Sequence, residues 1–288
     1  MYEEPRYLPG GDRYLLVELG NEMTLELNFL AQGLARAIDE SGMTGVIETA
    51  PCFATLLVHY DPDKVSYSDL CRELRAVHSN LGSVDDIEVE SRLFTFETMY
   101  LDPWTEECIR DYCKNVVEKE YDADFVARIN GLEDANQLVR VHSATEYWVA
   151  ALGFYPGVAF TMPLDPRSRL TAPKYNPPRT RTPQGAVGMG GACTCIYPAA
   201  TPGGYQIFGR TPVPIWDTQS RYDVFGGEVV LFRAGDRNRY VPVDLDQFKE
   251  VEARISEGTY VYNVAEYQKF SLRQYKSWVS TIDATERF

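Results

Sequence analysis

The sequence predicts an α+β fold. A ferredoxin-like two-layer domain is expected over residues 1–96, a helical connector with a β-rich domain over 97–245, and a C-terminal extension over 246–288. Three observations carry this. The first stretch changes between strand-like and helix-like periodicity in the order β-α-β-β-α-β, which is that of a split βαβ layer. A run of helical spacing follows. Then, from Trp148 to Val243, helical spacing nearly vanishes, and glycine and proline punctuate short runs such as CTCIYP and GGYQIFGRTP. That is the pattern of a small barrel or sandwich.

The elements follow in order. Arg13 to Leu19 (RYLLVEL) alternates as a half-buried strand does. Leu27, Leu30, Leu34 and Ile38 share one face of a helix, with Thr24 as its N-cap and Gly42 as its stop. VIETA and FATLLVHY read as two strands parted at Pro51-Cys52, and Asp61-Pro62 ends the second. Ser66 caps a helix to Val77, and Ile87 to Phe96 alternates as the last strand of the layer. Thr105 to Lys119 and Ala123 to Val139 are helical, broken near Tyr121-Asp122 and again at Gly131, with a helix from Ala135 to His142. After the β-rich region, Asp246 to Ile255 is helical and SEGTYVYNV a short strand. The aromatic-rich amphipathic tail docks on a partner or back on its own chain.

Composition excludes several function classes. A net charge of −14 argues against nucleic acid and anionic membranes, whose recognition needs clustered lysine and arginine. No apolar run reaches the roughly 18 residues of a membrane helix, and MYEEPRYLPGGDRY has no apolar signal region, so a cytoplasmic protein is expected. Six cysteines without a C-x₂-C pair, beside three histidines, predict no metal site. Cys193 and Cys195 point the same way if they lie on a strand, and read as two small thiols.

One stretch, Val139 to Pro183, gathers reactive side chains. His142 and Glu146 are spaced to meet on one helix face, where a carboxylate would tune an imidazole for acid–base work. Equally, a histidine near a helix end serves as a cap or a satisfied buried group. GFYPG places Phe154 between glycines that let backbone approach a ligand. PPRTRTP holds Arg179 and Arg181 between prolines, preorganised for a carboxylate or phosphate. Arg167, Arg169 and Lys174 extend this basic cluster, and Gly188 to Gly191 (GMGG) offers amides to an anion. No Walker motif and no G-x-S-x-G elbow occurs.

HSATEYWVAALGFYPGVAF, LDPR, PRTRTPQGAVG, IYPAATPGGYQIFGRTP and RAGDRNRYVPV occur in this order, with GDRYLLVELG and LLVHYDP nearer the N-terminus. Together they resemble the family of KipI and the B-type subunit of 5-oxoprolinase. It includes allophanate hydrolase subunit 1-like proteins and subdomains C and D of the carboxyltransferase domain of urea carboxylase. The resemblance spans Gly10 to Val243. It implies a cyclophilin-like β-barrel after the N-terminal α+β domain, and a site completed by a second subunit. That partner is KipA-like, the C-type subunit of 5-oxoprolinase, or an A–B carboxyltransferase half, with a biotin carboxylase and biotin carrier where the chemistry is carboxyl transfer. No cofactor is expected on this chain alone; biotin or ATP is supplied through partner subunits.

By the same resemblance His142, Glu146 and Arg179 are the catalytic candidates. Tyr147, Phe154, Pro178, Thr180, Gly190, Gly191, Cys193, Thr194, Tyr197 and Arg210 are the substrate-binding ones. Departures are local: MPLDPR stands where relatives read GGLDPR, and GACTCIYP where they read GGQTGIYP, so Cys193 replaces a glutamine and Cys195 a glycine. The stretch between Phe96 and Asn130, with DPWTEE, is longer than the resemblance leads one to expect of a 5-oxoprolinase subunit. The expected function is the C–D half of a heteromeric biotin-dependent carboxyltransferase acting on a small amide or urea-like compound. The alternatives are the B-type subunit of an ATP-dependent 5-oxoprolinase-type amidohydrolase and a KipI-like histidine-kinase inhibitor.

Overall fold

The structure, a computed structural model, describes Met1–Phe288, the side chain of Glu266 excepted. The chain runs β1 (Arg6–Pro9), β2 (Tyr14–Glu18), α1 (Leu25–Ser41), β3 (Val46–Cys52), β4 (Thr55–Tyr60), α2 (Tyr67–Asn80), β5 (Glu88–Tyr100), α3 (Pro103–Asn115), α4 (Asp122–Ile129) and α5 (Ala135–Ser143). It continues β6 (Glu146–Leu152), β7 (Ala159–Pro163), β8 (Arg179–Thr182), β9 (Ala186–Gly190), β10 (Cys193–Ile196), β11 (Thr201–Gly203), β12 (Gln206–Arg210), β13 (Arg237–Pro242), α6 (Leu245–Ser256), β14 (Asn263–Ser271) and α7 (Leu272–Val279). The chain divides into two units. One holds Met1–Ser91, Ala150–Leu152 and Tyr267–Thr281; the other holds Arg92–Val149, Gly153–Glu266 and Ile282–Phe288.

In the first unit the expected periodicities become one antiparallel sheet, ordered β1-β2-β4-β3, with a helix layer on it. Leu15 and Val17 of β2 and Leu56 and Val58 of β4 point inward, where Leu27, Leu30, Leu34 and Ile38 of α1 cover them. Thr24 caps α1 by accepting the Leu27 amide at 3.3 Å, and Gly42 ends it in the left-handed region (φ 58°). One expected strand is corrected. Ile87 to Phe96 does not complete this layer; the edge next to β2 is β1, in register from Arg6↔Glu18 to Pro9↔Leu15. The reason is local: Gly10 and Gly11 (φ 72°) turn the chain into a hairpin, and an exposed Arg6–Glu18 pair at 3.3 Å follows. α7 lies back on this unit through Lys276, which reaches Asp85 at 2.7 Å and Glu26 at 3.6 Å.

In the second unit seven strands hydrogen-bond in the order β12-β9-β10-β7-β6-β13-β5, and β12 returns to pair with β5, closing a ring. β5 from Arg92 to Thr98 is buried apart from Glu97, which suits a strand covered on both faces and explains why it leaves the N-terminal layer. It runs parallel to β13, from Leu93↔Arg237 to Thr98↔Pro242. The ring is filled by Phe94, Phe96, Tyr147, Val187, Phe208 and Tyr240, with Val126, Leu138 and Val141 contributed by α4 and α5. Arg92 crosses this core with its Nε 3.0 Å and Nη2 2.5 Å from the carboxylate of Asp236. The helical break at Gly131 falls where expected (φ 69°). The run SEGTYVYNV is largely irregular, since β14 begins only at Asn263.

Candidate functional site

The loops after β6 and β7 and the β8–β12 region of the second unit enclose a cavity of about 320 Å³. That is the lower end of small-molecule sites. Its walls are Val158, Phe160, Tyr175, Tyr197, Tyr205 and Cys195, its floor includes Gly203 and Gly204, and Phe154, Pro178, Pro202 and Lys174 complete it. Phe154 is 68% exposed and adopts φ 69°, a backbone region unusual for a bulky side chain. Gly203 is required by packing: a Cβ there would come 2.5 Å from the Tyr197 hydroxyl and 2.6 Å from Thr182 Oγ1.

Behind this wall lies a buried charge cluster. Asp122, at the start of α4, accepts from the Ile207 amide at 2.7 Å, from the Tyr175 hydroxyl and from Lys119 Nζ. Arg179, 2% exposed, places Nη1 3.8 Å from the same carboxylate and donates through Nε to Thr182 Oγ1 at 3.3 Å. Its guanidinium carbon sits 4.3 Å from the centre of the Tyr175 ring. Neither Nη1 nor Nη2 closes a hydrogen bond of good geometry, although the Tyr175 and Tyr197 hydroxyls lie beside them. A buried guanidinium left this way is costly unless something completes it. Burial, and then the Asp122 charge, push the Tyr175 phenol up, and burial pushes the Cys195 thiol up, so both stay protonated near neutrality. Neither the Tyr175 phenol nor the Cys195 thiol of the wall can therefore act as a base; they bind and orient.

The sequence candidates separate into groups. Phe154, Pro178 and Tyr197 line the cavity, and Arg179 stands behind it. Gly190 borders it indirectly, because only a residue without Cβ lets the Tyr205 ring pack there, 2.4 Å from that position. The Gly191 amide donates to the Ala172 carbonyl at 2.7 Å, so it is not aimed at an anion. Cys193 is buried on β10, paired in register with Gly190, and Cys195 is the thiol that reaches the cavity. Thr180 is exposed on β8. Arg210 packs over Trp104 at 4.7 Å and Phe248 at 5.3 Å and donates to the Gln184 carbonyl at 2.9 Å, which ties α3 and α6 to β12.

His142 and Glu146 do not share a helix face. α5 ends at Ser143 and Glu146 opens β6, where its carboxylate pairs with Arg237 Nη1 at 2.7 Å. His142 is 1% exposed, with the rings of Tyr100, Tyr147, Phe208 and Tyr240 all within 5.7 Å. Its Nδ1 meets the Tyr100 hydroxyl at 2.8 Å and its Nε2 meets Thr194 Oγ1 at 3.2 Å, while the Tyr147 hydroxyl donates to its carbonyl at 2.8 Å. Burial pushes the imidazole pKa down to about 3. Below pH 6.5 the unfolded chain takes up a proton that the folded chain refuses until about pH 3, so acid lowers stability across this window. The expected loss is about 2 kcal/mol at pH 5 relative to pH 7.5. Urea melts should show this loss in the wild type and not in His142→Gln. An unchanged pH slope in the variant would show that this imidazole does not titrate there.

Tyr175, Cys195, Tyr205, Lys119 and Asp122 were not among the sequence candidates, and Lys174 was named only as a member of the basic cluster. The signal for Lys174 and Tyr175 was present in KYNPPRTRTP, beside the arginines. Asp122 gave none beyond a helix start, since its partners other than Lys119 come from β12, from β8 and from the loop before β8.

The match to the family described as carboxyltransferase domain, subdomain C and D, spans residues 5–225. The urea amidolyase of Saccharomyces cerevisiae is 30% identical over 281 residues, 95% of this chain but 15% of that protein. The B-type subunit of 5-oxoprolinase from Bacillus subtilis is 30% identical over 252 residues, 83% of this chain and 95% of that one. The crystal structure of the K. lactis urea amidolyase superimposes with a TM-score of 0.86 at 28% identity, covering 96% of this chain and 17% of that one. The chain thus spans a small part of its urea amidolyase relatives and nearly the whole of the Bacillus subtilis protein. No helix among the described residues is long and apolar enough to cross a membrane. The ordered motifs from HSATEY to RNRYVPV, the closed ring of strands and the match over residues 5–225 agree: the chain belongs to the carboxyltransferase-domain family, subdomains C and D.

Proposed function

We propose that the chain is the C–D half of a heteromeric, biotin-dependent carboxyltransferase acting on a small amide or urea-like compound. The observation that carries this is the likeness to the K. lactis urea amidolyase over 96% of the chain at a TM-score of 0.86. In the same reading the closed ring is a cyclophilin-like barrel and the N-terminal layer a ferredoxin-like variant. Biotin, when presented on its carrier, supplies the activated carboxyl group. This chain's residues hold the acceptor: the tyrosine walls enclose it, and Arg179, buried behind the Tyr175 wall, supplies a fixed positive charge to it. His142 acts through Thr194, whose strand carries Cys195 into the cavity wall, as a positioning residue. ATP does not fit this cavity, because a triphosphate needs several converging donors and Lys174 is the one cation lining it among the described residues.

The second reading, the B-type subunit of an ATP-dependent 5-oxoprolinase, is favoured by the match to 95% of the Bacillus subtilis protein. One experiment separates them. The chain is purified with an A–B-type partner, a biotin carboxylase and a biotinylated carrier, and ATP- and bicarbonate-dependent consumption of urea and of 5-oxoproline is measured. Carboxylation of a urea-like acceptor that requires the carrier supports the first reading. Carrier-independent opening of 5-oxoproline would replace it with the second. Arg179→Ala should lower turnover at least about 100-fold while leaving the chain folded, because Asp122 keeps Lys119 and Tyr175.

A further inference from the structure

We propose that the cavity beside Phe154 is a recognition site for a small, flat carboxylate, with Lys174 meeting the anion and Arg179 supplying a fixed positive field through the tyrosine wall. The inference stands on the cavity and its charges and goes beyond the carboxyltransferase reading. Joined to that reading, it makes the acceptor an anion.

The chain carries a net charge of −14, yet the charges at this cavity are cationic. Lys174 is exposed, lines the cavity, and has no carboxylate within ion-pair distance among the described residues; its Nζ lies 5.3 Å from the centre of the Tyr205 ring. Asp122 is the acidic group nearest Arg179, and it already accepts from Lys119, Tyr175 and the Ile207 amide. Among Lys119, Arg179 and Asp122 there are two positive charges to one negative, and the Arg179 guanidinium closes no hydrogen bond of good geometry through Nη1 or Nη2. Both cations are felt inside the cavity: the Cys195 thiol in its wall is raised chiefly by burial, and Arg179 and Lys174 each lower it. Away from water such charges act more strongly than at a free surface.

The remaining walls choose the body of the ligand. Phe160, Tyr175, Tyr197 and Tyr205 offer aromatic surface, and the Gly203-Gly204 floor lets a thin molecule approach the backbone. One lining cation matches a monoanion, whereas a phosphate would need more donors than the walls provide.

Titration calorimetry and ligand-observed NMR on the full chain test this with benzoate and its neutral isostere benzamide. Benzoate is expected to bind at least about tenfold more tightly than benzamide. Raising salt from about 50 to about 500 mM should weaken benzoate several-fold and leave benzamide unchanged. Lys174→Gln should remove most of the preference without moving the melting temperature, since Lys174 is exposed. Equal affinity for the two probes, binding of neither, or a preference that survives in Lys174→Gln would overturn the proposal. No partner protein enters these measurements, so their failure is separate from failure of the turnover assay.

Discussion

Asp122→Ala should destabilise the second unit by about 3–5 kcal/mol, lowering its melting temperature by roughly 6–20 °C. The carboxylate is fully buried and accepts from three donors: Lys119 Nζ, the Tyr175 hydroxyl and the Ile207 amide at 2.7 Å. Removing it leaves the Ile207 amide and the Tyr175 O–H without their acceptor and leaves Arg179, 2% exposed, with no counter-charge. Lys119→Met should cost much less, because the lysine side chain is 19% exposed and the carboxylate retains Tyr175, Ile207 and Arg179. The comparison is decisive in calorimetric melts. If Asp122→Ala melted within a degree or two of the wild type, the cluster would contribute nothing to holding the cavity wall, and Tyr175 would need another anchor.

Gly185→Ala is expected to be as damaging, at roughly 3–6 kcal/mol. Gly185 turns the chain between β8 and β9 at φ 79°, and a Cβ there would lie 2.0 Å from the Thr211 carbonyl oxygen. The backbone cannot give way, because the Gly185 amide donates to the Tyr197 carbonyl at 2.7 Å and its carbonyl accepts the Thr211 amide at 2.9 Å. Gly191→Ala is the control. It shares the left-handed backbone (φ 62°), but nothing lies within 4 Å of its Cβ position, so only about 1 kcal/mol is expected. Soluble yield and urea melts of the two variants measure the difference. Equal losses would mean that backbone conformation alone, and not the collision with Thr211, sets the cost.

Much of the fold was legible in the sequence. Local signals marked α1 from Thr24 to Gly42, the β2 and β4 alternation, the break at Gly131 and the loss of helical spacing after Trp148. Ile87 to Phe96 misled because alternation says that a strand has a buried face and nothing about which sheet it joins. Its neighbours β13 and β12 lie more than a hundred residues along the chain. The helix face expected for His142 and Glu146 failed for a related reason. Four-residue spacing has meaning only while the helix lasts, and pairing with β13 draws Glu146 into β6. At the site, motif order pointed to Phe154, Pro178, Arg179 and Tyr197. Asp122, Cys195 and Tyr205 became visible only once β9, β10 and β12 were side by side.

By itself the sequence determined the local elements, the family and the loop that brings arginine to the site, since these depend on periodicity, caps and motifs written within a few turns of chain. The tertiary structure alone decided which cation faces the cavity, which lies behind its wall, and that His142 is enclosed among aromatic rings. Those outcomes depend on desolvation and on partners far apart in sequence: a charge or an imidazole takes its character from what the fold packs against it.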